Sequence, residues 1–169
     1  TVSVKLYSKT NRRFIMSNVM FAPKLDRIDS SLEFALGQLF TDVDGKTYKY
    51  IQYEEATAAT AGVAGEVAYY ATVAVGDATG TIVTSDLSDS DEVGAGVLQA
   101  ALTDGTYGWI QVSGIATLTI ALTAGADGDN LTPTGSTDGT LDLATAATDD
   151  ICAVAIDVSA KVIMCKFAH

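Results

Sequence analysis

From Tyr107 to Leu122 the chain alternates in period two around a single glycine, and this stretch constrains the fold more than any other. Ile110 and Val112 point one way and Gln111 and Ser113 the other. After Gly114 the set Ile115, Thr117, Thr119 and Ala121 opposes Ala116, Leu118, Ile120 and Leu122. A helix cannot bury such a pattern on one face, whereas a strand packed on a core does so directly. The stretch therefore reads as two strands, or as one strand interrupted at Gly114. It also holds Trp109, the only tryptophan.

The rest of the chain repeats this idiom in small residues. Hydrophobic residues make up 48% of the 169 positions, but many are alanine, and 15 glycines stand against two prolines. Small side chains bury little area each, so packing between copies is a natural supplement to the core. A chain of this length suits one domain with an appendage. Thr, Asp and Gly interrupt the apolar runs too often for a membrane span, and the N-terminus lacks the basic start and apolar centre of a secretory signal. Beginning at Thr1 fits removal of an initiator methionine from a chain made in the cytoplasm, and proteolytic trimming would look the same.

The net charge of −11 conceals a division. Residues 1–50 hold eight basic and five acidic side chains, whereas residues 51–160 hold 16 acidic ones and no Lys or Arg. An acidic body of this kind argues against wrapping nucleic acid, which requires cations to displace counterions. It suits docking on a basic surface. The boundary near residue 55 separates residues 1–55, read as an arm or strand plus a short helix, from an acidic β domain over residues 56–169.

In the first part, Val2, Val4 and Leu6 alternate with Ser3, Lys5 and Tyr7 as a short strand. Lys9, Arg12 and Arg13 follow, then the apolar clusters Phe14-Ile15-Met16 and Val19-Met20-Phe21. Such a segment either folds back on its own domain or lies as an arm on a neighbouring subunit. Asp26 to Phe40 is the helix expected from spacing, with Ile28, Leu32, Ala35, Leu36 and Leu39 on one side and Ser30 and Glu33 as a capping box. Gly37 sets its end. After the Asp44-Gly45 turn, Tyr48, Tyr50 and Tyr53 in the next strand suit a contact surface, with core packing at a sheet edge as the alternative.

In the second part, strands are expected at 66–73 and 80–84, then an exposed acidic loop from Ser85 to Glu92. Residues 97–101 read as strand or short helix. Further short strands fall at 131–134 and 140–144, and a hairpin joins 151–156 to 161–167. A loop symmetric about positions 158 and 159 sets Cys152 opposite Cys165, and synthesis in the cytoplasm favours paired buried thiols over a disulfide.

Catalytic chemistry is hard to assemble from these residues. The one histidine is the terminal His169, and the acidic body offers no cation to clamp a phosphate or oxyanion. There is no P-loop, dinucleotide fingerprint or serine elbow. The carboxylates sit in Gly/Ser/Thr-rich turns, where aspartate serves turn geometry, and a hydrolase pair is not advertised. Asp42-Val43-Asp44-Gly45 starts like a calcium loop, but Tyr53 stands where the closing acid belongs. No enzyme activity, cofactor or metal site is expected.

Three segments carry a likeness to a known family. They are Ala64-Gly65-Glu66-Val67-Ala68, the run Gly105 to Gly114, and the ending Ile151 to Asp157 followed by Lys161-Val162-Ile163-Met164-Cys165. Over roughly residues 60–168 the chain resembles the head decoration, or cement, proteins of tailed bacteriophages. The resemblance implies a mainly all-β fold, a small β-barrel or β-sandwich with an N-terminal arm and one short helix. It also implies a structural role on the outer capsid surface of the virion, after synthesis in the host cytoplasm. The partner is then the major capsid protein, and the chain is a homo-oligomer, a trimer before a dimer, with no nucleic-acid or membrane partner. Phe14, Met20, Phe21, Tyr48, Tyr50 and Tyr53 are the candidate anchors, because aromatic and Met side chains carry interface energy. Arg12 and Arg13 are candidates to pair with acidic groups on the shell. A tail- or fibre-associated β module and a surface glycan-binding module are the competing classes.

Overall fold

A computed structural model describes residues 22–55, 61–72, 80–133 and 135–169. The strand expected at Val2–Tyr7 and the candidate residues Arg12, Arg13, Phe14, Met20 and Phe21 lie outside them. The described residues form an all-β fold of ten strands: β1 (Leu39–Thr41), β2 (Thr47–Tyr53), β3 (Val67–Ala71), β4 (Ile82–Thr84), β5 (Ser90–Leu98), β6 (Tyr107–Thr117), β7 (Asn130–Thr132), β8 (Asp142–Leu143), β9 (Ala153–Asp157) and β10 (Val162–Lys166). All belong to one sheet in the order β1-β2-β4-β3-β5-β6-β10-β9-β7-β8. A further pairing joins β2 to β6, so β2, β4, β3, β5 and β6 close into a ring of hydrogen-bonded neighbours.

β6 is a single eleven-residue strand with a change of partner at its glycine. Before Gly114 it pairs with β2 on one edge and briefly with β5 on the other. From Ser113 onward it pairs with β10. Gly114 takes a φ of +92°, and a Cβ there would lie 3.3 Å from the Lys46 Cα, so the switch needs a residue without a side chain. Burial continues to alternate past the end of the strand, with Ala116, Leu118 and Leu122 inside and Ile115, Thr117, Thr119 and Ala121 outside.

The two faces of β2 and β6 build two separate apolar layers. Ile51, Tyr53, Ile110 and Val112 join the main core with Val67, Tyr69, Val83, Val97, Leu98, Leu131 and Ile163. Tyr48, Tyr50 and Trp109 project into a second cluster, covered by Leu25, Phe34, Phe40 and Tyr107. Because β2 is a member of the ring, the charge boundary near residue 55 is not a boundary of the fold.

The helix expected over Asp26–Phe40 does not form. Asp29 instead exchanges two 2.9 Å backbone hydrogen bonds with Tyr107, and Gly37 N–H donates to Tyr50 O at 2.8 Å. Gly37 adopts a φ of +79°, incompatible with a continuing helix. The reason lies in the tertiary structure: the segment is a strap over the second cluster. Phe34, rather than the aliphatic stripe, is drawn in, with its ring centroid 5.1 Å from Tyr50 and 5.3 Å from Trp109. Burying those rings outweighs the small intrinsic preference of a short helix.

Two smaller expectations are also corrected. The acidic stretch Ser85–Glu92 is not wholly an exposed loop: Ser85, Asp86, Leu87 and Ser90 are buried, and β5 starts at Ser90. Asp86 survives burial because its Oδ1 accepts hydrogen bonds from the Ser88 N–H and hydroxyl. At the C-terminal hairpin Asp157 pairs with Val162, so the turn is centred one position later than expected, and even with a register shift between Val162 and Ile163 Cys165 stands opposite Ala153 rather than Cys152. Both cysteines are buried free thiols.

Candidate interaction surface

The tyrosines singled out as contact residues are core residues. Tyr50 and Tyr53 are wholly buried and Tyr48 nearly so. Alternation along β2 explains the placement, since both faces of this strand are covered: Tyr48 and Tyr50 meet the strap and Tyr53 the main core. Their hydroxyls are used internally. Tyr50 donates to Asp29 Oδ2 at 2.7 Å, Tyr48 to Asp42 Oδ2 at 3.3 Å, and Tyr53 accepts the Ser85 N–H at 3.1 Å. Burial pushes the Tyr48 phenol up to about 12, with the Asp42 charge adding to it. Burial first, then the bond to Asp29, raises Tyr50 as well. Trp109 is equally buried, so it offers no platform on which a sugar ring could stack.

The exposed apolar residues lie elsewhere. Among the described residues nine large hydrophobic side chains are exposed, and five of these, Ile28, Leu32, Leu36, Leu39 and Val43, fall in the strap and its continuation through β1. The first four, with the equally exposed Ala35, are the stripe that the sequence set on one side of a helix. The sequence signal for this surface was present, but its direction was inverted. Val43 extends furthest, at 89% exposure, in the Asp42–Lys46 turn. Asp42 fixes that turn by accepting the N–H groups of Asp44 and Lys46 at 3.0 and 2.9 Å, so its carboxylate is engaged in chain geometry.

Beside this row lies a cleft of about 300 Å³, lined by Ala22, Pro23, Leu25, Phe40, Asp42 and Val43. Its walls are mainly apolar. A second, more polar cleft of about 450 Å³ runs between β5 and β6, with Lys46, Gln99, Gln111, Thr117 and Thr119 in its lining. Gln111 spends its amide on the carbonyls of Ser113 and Ile115, at 3.2 and 3.0 Å. A third, of about 280 Å³, is bordered by Glu92 and Asp138, and Asp138 accepts the Leu87 N–H at 2.9 Å.

Two carboxylates approach each other at Glu54 and Asp104. Burial first, and then the contact with Asp104, raises the Glu54 carboxyl above its ordinary value. Gln52 Nε2 donates to Glu54 at 2.8 Å, and neither acid lines any of the three clefts above. An acid–base pair needs a substrate held between its members, and none of these three clefts brings one to Glu54 and Asp104. Among the described residues no group of three or more His, Cys, Asp or Glu is placed to hold a metal ion. Among the described residues, the exposed aliphatic side chains of the strap, β1 and its turn, with the cleft at Val43, are thus the surface with most to offer a partner. Compared with known proteins, the chain matches no family model, no curated protein and no solved structure.

Proposed function

We propose that the chain is a structural virion protein that binds the outer surface of a bacteriophage capsid and stabilises contacts between major capsid subunits. One observation carries this reading: five large aliphatic side chains stand exposed on a strap whose inner side is locked to the body by Asp29, Phe34 and Gly37. Exposed apolar surface on a rigid support marks a contact with another macromolecule. The acidic body around it, without Lys or Arg from 51 to 160, favours a basic partner surface. The closed ring β2-β4-β3-β5-β6 is read as a small β-barrel, a shape that leaves few free edges while displaying loops.

Cementing requires no cofactor, since it works by burying area at repeated sites, where binding at one raises the effective concentration at the next. The protein acts as a homo-oligomer, a trimer in the favoured form, with residues 1–21 contributing Arg12, Arg13, Phe14, Met20 and Phe21 to its contacts. Co-sedimentation with empty, expanded phage heads tests the reading. The purified chain saturates heads at a fixed stoichiometry, and Leu32→Asp with Val43→Asp abolishes binding while leaving the Trp109 emission of the folded chain in place. A chain that ignores heads, or that sediments only with tails, refutes the capsid assignment.

A further inference from the structure

The two lysines that follow residue 50 both come to the second half of β6. Residues 51–169 hold 16 acidic side chains, with Lys161 and Lys166 as their only Lys or Arg. Lys166 pairs with Ser113, and the Lys161 ammonium donates to Thr119 O at 2.7 Å. Lys46 reaches the same place from the turn before β2. Its Cγ lies 3.0 Å from where a Cβ on Gly114 would stand. In a chain of net charge −11, residues 113–119 are thus a local focus of positive charge.

This segment walls the polar cleft of about 450 Å³, which Lys46, Gln99, Gln111, Thr117 and Thr119 help to line and no carboxylate does. Asp42 accepts the Lys46 backbone N–H, yet among the described residues the Lys46 ammonium has neither an ion pair nor a hydrogen bond. Gln111 is 3% exposed, and its Nε2 is committed to the carbonyls of Ser113 and Ile115. That fixes its Oε1 as an acceptor, and no described residue donates to it. Gln99 Nε2 donates to Val97 O, and the Thr119 hydroxyl to Ala64 O. Their oxygens are therefore left as acceptors too.

The lining thus combines one cation with three acceptors. A simple carboxylate would meet the cation and leave the acceptors unpaired. A neutral sugar would satisfy the acceptors and leave the ammonium without a counter-charge. A ligand that matches both carries a carboxylate and several hydroxyls together. We propose that this cleft binds a sugar acid, its carboxylate on Lys46 and its hydroxyls donating to Gln111, Gln99 and Thr119. Lys161 and Lys166 extend the positive field along β6 for further acid groups of an acidic polysaccharide. The space is sufficient, since pockets for small ligands span about 300–1,000 Å³. None of the exposed aliphatic side chains of the strap lines this cleft, and the inference does not depend on the capsid reading.

Nuclear magnetic resonance titration of the full chain with D-glucuronate, D-glucose and propionate tests it. Glucuronate shifts the Gln111 side-chain amide and the backbone amides of residues 115–119, with a Kd on the order of 1 mM. Glucose and propionate each leave part of the site unmatched and bind roughly tenfold more weakly. Lys46→Met keeps an unbranched stem against Gly114 and weakens glucuronate roughly tenfold. Lys24→Met removes an exposed cation that does not line the cleft and leaves binding unchanged. Both variants retain the Trp109 emission of the folded chain. No shift at residues 111–119 overturns the proposal. So does propionate or glucose binding as tightly as glucuronate, because either removes the need for one half of the ligand. Equal weakening by the two lysine variants assigns the effect to overall charge and overturns it as well. No heads enter the titration, so its failure leaves the capsid reading to its own test.

Discussion

Replacing Tyr69 with phenylalanine isolates one buried tether between distant parts of the chain. The Tyr69 hydroxyl donates to Thr140 O and accepts the Thr140 N–H at 2.9 Å, so one side-chain oxygen satisfies both polar groups of a residue 71 positions away. Tyr69 and Thr140 are both buried. Tyr69→Phe removes the hydroxyl without enlarging the ring and leaves two buried peptide groups without their partner. Each such group costs about 1–3 kcal/mol, so the variant loses roughly 2–6 kcal/mol. For a chain of this length that lowers Tm by roughly 4–24 °C. Urea unfolding followed by Trp109 fluorescence and by far-ultraviolet circular dichroism gives the midpoint shift at constant slope. A Tyr69→Phe loss below about 1 kcal/mol refutes the two-group reasoning.

Burial pushes the Cys165 thiol up to about 12 and raises Cys152 further, so neither reacts with a thiol reagent at pH 8 until the chain unfolds; labelling of the native protein within minutes contradicts this. The same raised values, with Tyr48, set an alkaline limit. A group that holds its proton more tightly when folded contributes stability that is full below the unfolded value and lost above it. Urea midpoints therefore fall from about pH 9 toward pH 12, and a flat profile there counts against the burial of these groups. Glu54 is raised in the folded chain too, so its charge opposes folding above its ordinary range; Glu54→Gln stabilises at pH 7, and the gain disappears below about pH 4. At Gly65, with φ +85°, a Cβ would stand 2.2 Å from Thr119 Oγ1 and 3.2 Å from Thr119 N, whereas at Gly105, with φ +69°, it meets nothing within 4 Å. Gly65→Ala thus costs about 2–4 kcal/mol against about 1 for Gly105→Ala, and equal costs in thermal unfolding contradict the contact.

The period-two text at 107–122 and the turn signals at Asp44-Gly45 and Asp104-Gly105 determined the all-β class, because alternation and turn chemistry are local properties. Ile110 and Val112 were legible as inward residues for the same reason. Burial of Trp109 agreed with its place in that strand, and the closing hairpin was readable from its two apolar runs. Its register was not, since the centre of the turn and the extra residue on β9, Ile156, opposite Val162–Ile163 are matters of backbone geometry. Which surface is left uncovered was equally illegible.

Periodicity says that Ile28, Leu32, Leu36 and Leu39 share a helical face only if a helix forms. Whether it forms depended on an aromatic layer built by β2 and β6, more than ten and about eighty residues away. That layer needed covering, and covering it required Phe34 and Asp29 rather than the aliphatic stripe. The tyrosines at 48, 50 and 53 were misread for the same cause: a strand covered on both faces has no outward side, and only the ring of β2 with β4 and β6, closed by the strap, decides that it is covered. The sequence by itself determined the all-β class and the inward residues of β6, through interactions spanning a few positions. The tertiary structure alone decided which apolar residues remained on the surface, because exposure is what is left after contacts between distant segments have been made.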